Sequence, residues 1–333
     1  MEGFGRLGVA AVALAAGIFS AGFSHATPDD PYTSYTQPAN ALVMPFNVEA
    51  DRASFLLVSN LSGISPTDDP SRYVPAVTTH WSYWSEDCSH LADVYVCLTL
   101  NDTVVVSPAD VSAIDAGNNP IGPQIDLSGN RGFVVVTAYA TDEICSDSSV
   151  RGDVLVDDAI VGTYTMANIE SQASFGNDAI GLGTDFFGDY TELPKAGYDK
   201  FTIQTFNPET LDDSVVVLLS LKEKSGSGST AAYEVGPNTA NTRIDLVYYD
   251  NLEIPTSLPE AVVNCAEFTT VIPGVGALIP DTISLLSSGI LRLDNFTPAI
   301  GGETGRFIYG IHGQAVGNFG GSSNMKYKLT GLL

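Results

Sequence analysis

Leu42-Val-Met-Pro-Phe-Asn-Val-Glu49 returns later in the chain as Thr202-Ile-Gln-Thr-Phe-Asn-Pro-Glu209, so Phe46-Asn47-x-Glu49 is matched by Phe206-Asn207-x-Glu209. The match extends outward. Each copy is followed by an apolar run, residues 54–60 and 214–220. An aromatic pair comes next, Tyr83-Trp84 and then Tyr248-Tyr249, and then a cysteine, Cys97 and then Cys265. Last comes an arginine before an apolar stretch, Arg131-Gly-Phe133 and then Arg306-Phe307. The offset between matched residues grows steadily, from 160 (Phe46 to Phe206) through 165 and 168 to 174 (Phe133 to Phe307). A duplicated domain that has gained small loop insertions gives this pattern. The period is far too long for a solenoid repeat.

Within each copy the local pattern is that of strands. Runs rich in Val, Ile, Thr, Tyr and Phe recur between Gly, Pro, Asn and Asp clusters. In the first copy they fall at 53–59, 75–84, 93–100, 103–107, 132–140 and 160–167. In the second they fall at 200–206, 214–222, 242–250, 261–271, 283–293 and 306–315, and the C-terminal Met325-Lys-Tyr-Lys-Leu-Thr-Gly-Leu-Leu333 reads as a last strand. No long stretch holds a capped helical period. About seven strands per copy predict an all-β fold: two tandem immunoglobulin-like or fibronectin-like β-sandwiches, at 40–190 and 198–333. Residues 185–198 read as the linker between them, and 61–70 and 222–230 as exposed loops. From Phe133 to Val161 the first copy runs 28 residues, whereas Phe307 to Val316 spans 9. The first copy therefore carries an acidic insertion at 141–160.

The first 26 residues have the form of a secretory signal, with Arg6 before an apolar Ala/Gly-rich stretch and Ser24-His25-Ala26 as a small-x-small cleavage site. The stretch falls short of the ~20 apolar residues of a membrane span. The expected mature chain begins at Thr27, with a flexible segment at 27–39. It is exported to the extracellular space or cell surface, with the periplasm as the other destination. A formal net charge of −25 excludes nucleic acid and anionic lipid as natural partners. Four cysteines, Cys88, Cys97, Cys145 and Cys265, predict two disulfides in an oxidising compartment. Three connectivities are open. The spacing favours Cys88–Cys97 as a hairpin closure and Cys145–Cys265 as a clamp between copies.

Catalytic signatures are few. Nucleophile-elbow, zincin, phosphate-loop and dinucleotide motifs do not occur. A Ser–His–Asp set around His80 or His90 has no support from spacing. The insertion holds Asp142, Glu143, Asp147, Asp153, Asp157 and Asp158, the oxygen-rich composition that Ca²⁺ takes, beside the plainer reading of a solvated loop. Asp126-Leu-Ser-Gly-Asn130 reads as a turn. His80-Trp81-Ser-Tyr83-Trp84 holds both tryptophans. Exposed, Trp81, Tyr83 and Trp84 would suit a glycan or protein ligand. The stronger expectation is a core role, as for the buried Trp of sandwich domains. Arg131 and Arg306 are expected to pair with carboxylates at strand starts.

Pro45-Phe-Asn-Val, Ser54-Phe-Leu-Leu-Val-Ser-Asn60, Tyr83-Trp-Ser-Glu-Asp-Cys88-Ser-His90, Leu98-Thr-Leu-Asn-Asp-Thr103 and Arg131-Gly-Phe-Val-Val-Val136 resemble segments of uncharacterised bacterial exported β-sandwich proteins. The resemblance covers mainly residues 40–170 and implies no enzymatic residues. The combined expectation is an exported structural or adhesive protein without catalytic activity, with surface glycan, protein or further copies of itself as partner. The alternatives are a glycan- or protein-binding module at Trp81/Trp84 and a secreted hydrolase using paired carboxylates.

Overall fold

The computed structural model describes residues 39, 41–61, 76–114, 120–140, 159–182, 200–205, 213–223, 235–237, 242–272, 277–279, 289–298, 306–316 and 319–329. Among these the regular structure is all strand. The first half contributes β1 (Ala41–Asn47), β2 (Arg52–Asn60), β3 (Ala76–Ser85), β4 (His90–Thr99), β5 (Thr103–Val106), β6 (Val111–Ile114), β7 (Pro120–Ile125), β8 (Arg131–Ala140), β9 (Ile160–Asn168), β10 (Ala173–Asp178) and β11 (Ile180–Leu182). The second contributes β12 (Lys200–Thr205), β13 (Asp213–Glu223), β14 (Val235–Pro237), β15 (Thr242–Tyr249), β16 (Pro255–Val263), β17 (Ala266–Thr269), β18 (Gly289–Pro298), β19 (Arg306–Val316) and β20 (Phe319–Leu329).

No sheet mixes the halves. The first half forms sheets β11-β1-β8-β3-β4-β6-β7 and β10-β9-β2-β5. The second forms β12-β18-β15-β16 and β14-β13-β19-β20, with β17 also on β13. Setting aside the short strands β6, β7, β11 and β14, the orders coincide. In each half the first, sixth, third and fourth strands lie side by side, and so do the eighth, seventh, second and fifth. Every one of these pairings is antiparallel. The immunoglobulin order keeps the same second–fifth and third–sixth neighbours, but places the first strand beside the second and the seventh beside the sixth. Here the first strand lies beside the sixth, the seventh beside the second, and the fourth beside the third instead of the fifth.

The burial of each strand follows its cover. β2 alternates along its length, with Leu56 and Val58 inward, because one face is solvated. β13 does not alternate. Val216 and Leu218 pack with Ile244, Leu246, Tyr248 and Leu291, whereas Val217, Leu219 and Leu221 join the core of the first half together with Phe268. A strand covered on both faces reads as an unbroken apolar run, which is why residues 214–220 do. Gly313 on β19 makes room for the other half: a Cβ there would lie 2.7 Å from the ring of Phe175 on β10. Arg52 donates twice to the Asp213 carboxylate across the same seam, at 2.6 and 3.3 Å.

The disulfide pairing differs from the one favoured by spacing. Cys88 is bonded to Cys265, with Cα atoms 5.5 Å apart, so it is this bridge that ties the halves together. Cys88 cannot reach Cys97. β4 leads straight away from the Cys88 turn, and Cys97 lies seven residues beyond His90, roughly 23 Å at ~3.3 Å per residue. Cys97 is itself disulfide-bonded. Cys145 lies outside the described residues, as do 1–38, most of the insertion and the linker at 185–198.

Candidate functional site

The aromatic stretch lies on β3, and strand parity divides it. Trp81 and Tyr83 point inward and are fully buried. Trp81 Nε1–H donates to Thr79 Oγ1 (2.9 Å), and Thr79 Oγ1 donates in turn to the Val96 carbonyl (2.7 Å). Tyr83 meets Phe46 edge-on at 5.8 Å. Its hydroxyl is buried without a hydrogen-bond partner, and desolvation pushes its ionisation far above the usual range. Trp81 and Tyr83 are therefore core residues and not a ligand platform, which corrects that reading of the sequence. Trp84 alone is part-exposed, on the opposite face.

That outer face carries a connected set of polar and aromatic side chains. The β3–β4 register places Trp84 opposite His90, Ser82 opposite Asp93, and His80 opposite Tyr95. In a regular strand His90 and Asp93 would point to opposite faces, being three residues apart. A bulge between the Tyr83–Ala92 and Trp84–His90 pairs takes up the extra residue and turns His90 onto the face of Asp93. His80 Nε2–H and His90 Nε2–H then donate to the same oxygen, Asp93 Oδ1, at 2.9 and 3.1 Å. Desolvation alone would raise the Asp93 pKa, but the two imidazole hydrogen bonds and their charge hold it well below the usual carboxylate range. Tyr95 stacks on His80 and Trp84 meets His90 edge-on, both at 4.8 Å. His80 is buried, whereas His90 and Asp93 are each about two-fifths exposed. In the sequence His80 and His90 stand out as triad candidates, and His80 as the start of the aromatic stretch. Asp93 and Tyr95 share a face by strand parity, but only the bulge brings His90 onto it, so nothing in the sequence singles them out.

A second cluster sits at the seam. Arg131 Nε–H donates to Glu86 at 2.5 Å, its Nη1 lies 3.7 Å from Glu49, and its guanidinium lies over the Phe268 ring at 5.6 Å. The bond to Glu86 raises the arginine's pKa further. Glu267 is raised by burial and then by the charge of Glu86, with Arg131 opposing. Arg131 is thus paired with carboxylates at a strand start, as its sequence position suggested. The Arg306 side chain lies outside the described residues. The repeated Phe-Asn-x-Glu is a turn builder in the first half: Phe46 is core, and Asn47 Oδ1 accepts from the Glu49 amide at 3.0 Å. Ser128 N–H donates to Asp126 Oδ1 (2.8 Å) and Gly129 adopts φ 83°, so 126–130 is the expected turn. A shallow cleft of about 490 Å³ opens nearby, lined by Val48, Glu49, Arg52, Ala109, Ser128 and others, with Glu86 and Glu267 not among them.

Among the described residues no group of three or more His, Cys, Asp or Glu side chains is arranged to hold a metal ion. The calcium candidates Asp142, Glu143, Asp147, Asp153, Asp157 and Asp158 lie outside the described residues. No described helix is long and apolar enough to cross a membrane.

No family model matches the chain. No curated protein matches it. Among solved structures, the viral chemokine binding protein R17 encoded by rodent gammaherpesvirus Peru aligns over 86% of this chain and 84% of that one, at 11% identity and a TM-score of 0.19. A likeness of that size carries no inference about fold or function.

Proposed function

We propose that the chain is an exported structural or adhesive protein of the cell surface or extracellular space, without catalytic activity. In this reading it is built of two tandem sandwiches that arose by duplication, on an immunoglobulin-like plan with the first, fourth and seventh strands re-sited, and is akin to uncharacterised bacterial exported β-sandwich proteins. The shared strand order of the two halves supports the duplication. The observation that carries the function is the seam. β13 is buried on both faces, Cys88 is bonded to Cys265, and Arg52 is clamped to Asp213. A body locked in this way holds the geometry of its outer faces and loops fixed, as an extracellular building block or adhesin requires. The marked acidity keeps it soluble and steers it away from anionic surfaces.

The test uses residues 27–333, examined by light scattering and electron microscopy with Ca²⁺ and with chelator, and coated on a surface for attachment of the source organism's cells. Ordered assemblies or cell attachment support the reading, and a Ca²⁺ requirement points to residues 142–158. A monomer that attaches no cells under either condition overturns it.

A further inference from the structure

We infer that the outer face of the β3–β4 hairpin is a saccharide site, in which Trp84 and Tyr95 offer ring surface and Asp93 and His90 bind hydroxyls. This deepens the adhesive reading and rests on it. Asp93 has acceptor positions to spare. Both imidazoles bond the same oxygen, Oδ1, and among the described residues no group bonds Oδ2. The carboxylate is held by two rings and kept ionised by them, and its side chain is about two-fifths exposed. A carboxylate fixed in this way accepts hydroxyl hydrogen bonds without paying to become ordered. His90 is similarly placed: Nε2 is engaged by Asp93 and the ring is two-fifths exposed, leaving Nδ1 for a neighbouring hydroxyl.

The flanking rings complete the chemistry. A sugar ring has apolar C–H faces and a polar rim, so it is bound by an aromatic side chain beside fixed donors and acceptors. Trp84, Ser82 and His80 follow one another along β3 on this face, opposite His90, Asp93 and Tyr95. From Trp84 to the level of Tyr95 is four residues, roughly 13 Å at ~3.3 Å per residue, longer than a single sugar ring. Trp84 and Tyr95 are both part-exposed, Trp84 with its Nε1 buried and its ring packed in part against the core, Tyr95 with one face on His80. The charge of the chain narrows the ligand class. With a net charge of −25, sialylated and sulfated chains are repelled, so neutral or amino-bearing saccharides are the ligands. The bulge at the Tyr83–Trp84 step has a use in this reading, since it sets His90 beside the carboxylate.

The experiment is a glycan array holding neutral, amino-bearing, sialylated and sulfated saccharides, probed with residues 27–333 and with the Asp93→Asn and Trp84→Ala variants. Urea unfolding of each variant checks that it folds, and half-exposed Asp93 guards against a collapse of the Trp84 variant. The expected result is binding to neutral or amino-bearing saccharides, lowered at least tenfold in each folded variant. Absence of any saccharide above background overturns the site, as does binding unchanged in both variants. Cell attachment retained by both variants also overturns the site while leaving the adhesive reading standing. Attachment that survives glycosidase but not protease treatment of the cells identifies a protein partner, and likewise overturns it.

Discussion

Replacing Cys88 and Cys265 together by serine removes the only covalent tie between the halves among the described residues. The bridge joins residues 177 apart. In the chain-entropy account, closing a loop of n residues removes roughly 2.1 + 1.5R ln n cal/mol/K from the unfolded state, about 17 cal/mol/K at this separation, or about 5 kcal/mol at 25 °C. The bridge involving Cys97 changes that figure little, because the dependence on n is logarithmic. The native seam survives the change, since Val217, Leu219, Leu221 and Phe268 stay packed and Arg52 stays paired with Asp213. The doubly substituted chain should therefore fold to the same structure with its stability lowered by about 5 kcal/mol, and with a steeper urea dependence as the unfolded ensemble expands. Urea unfolding followed by tryptophan fluorescence measures both quantities. A loss below about 1 kcal/mol at unchanged slope refutes the pairing.

Tyr83→Phe deletes a hydroxyl that is buried without a partner, so stability should hold or rise by about 1 kcal/mol; a loss of that size in urea unfolding contradicts the core assignment. Gly132→Ala sets a Cβ 1.9 Å from the Trp84 carbonyl and should cost about 3 kcal/mol or abolish folding, as read by thermal unfolding. Burial pushes the His312 pKa from 6.5 down to about 4, and Gln314 Nε2–H donates to its Nε2 at 2.6 Å. The unfolded chain then takes up a proton that the folded chain refuses. That contribution is fully present above pH 6.5 and is lost as pH falls toward 4, by about 3 kcal/mol in all. The difference in unfolding free energy between the parent chain and His312→Gln, followed from pH 7.5 to 4, should shrink by that amount; a flat difference contradicts it.

How far the sequence could be read depended on what each residue reports. The likeness of the halves was legible because Phe46-Asn47-x-Glu49 and Arg131-Gly-Phe133 stand at a turn and a strand start in the first half. The strands at 53–59, 132–140, 160–167 and 214–222 are found within a residue or two of β2, β8, β9 and β13. The run at 261–271 is instead broken into β16 and β17 at Cys265, whose φ of 71° turns the chain. Which strands share a sheet was not legible, because Val and Ile report burial and not neighbours. Hence the pairing of the first strand with the sixth and of the seventh with the second could not be foreseen. The apolar run of β13 betrayed cover on both faces without naming the cover. At the outer site the obstacle was parity: one bulged residue brings His90 and Asp93 together where a three-residue spacing sets them apart. The cysteine pairing failed because proximity in sequence is a poor guide once a strand leads away from the turn.

Calorimetric unfolding of residues 27–333 tests the locked two-half body most directly. The seam predicts a single endotherm, with calorimetric and van't Hoff enthalpies that agree. Two resolved transitions, each carrying the enthalpy of one half, would contradict it.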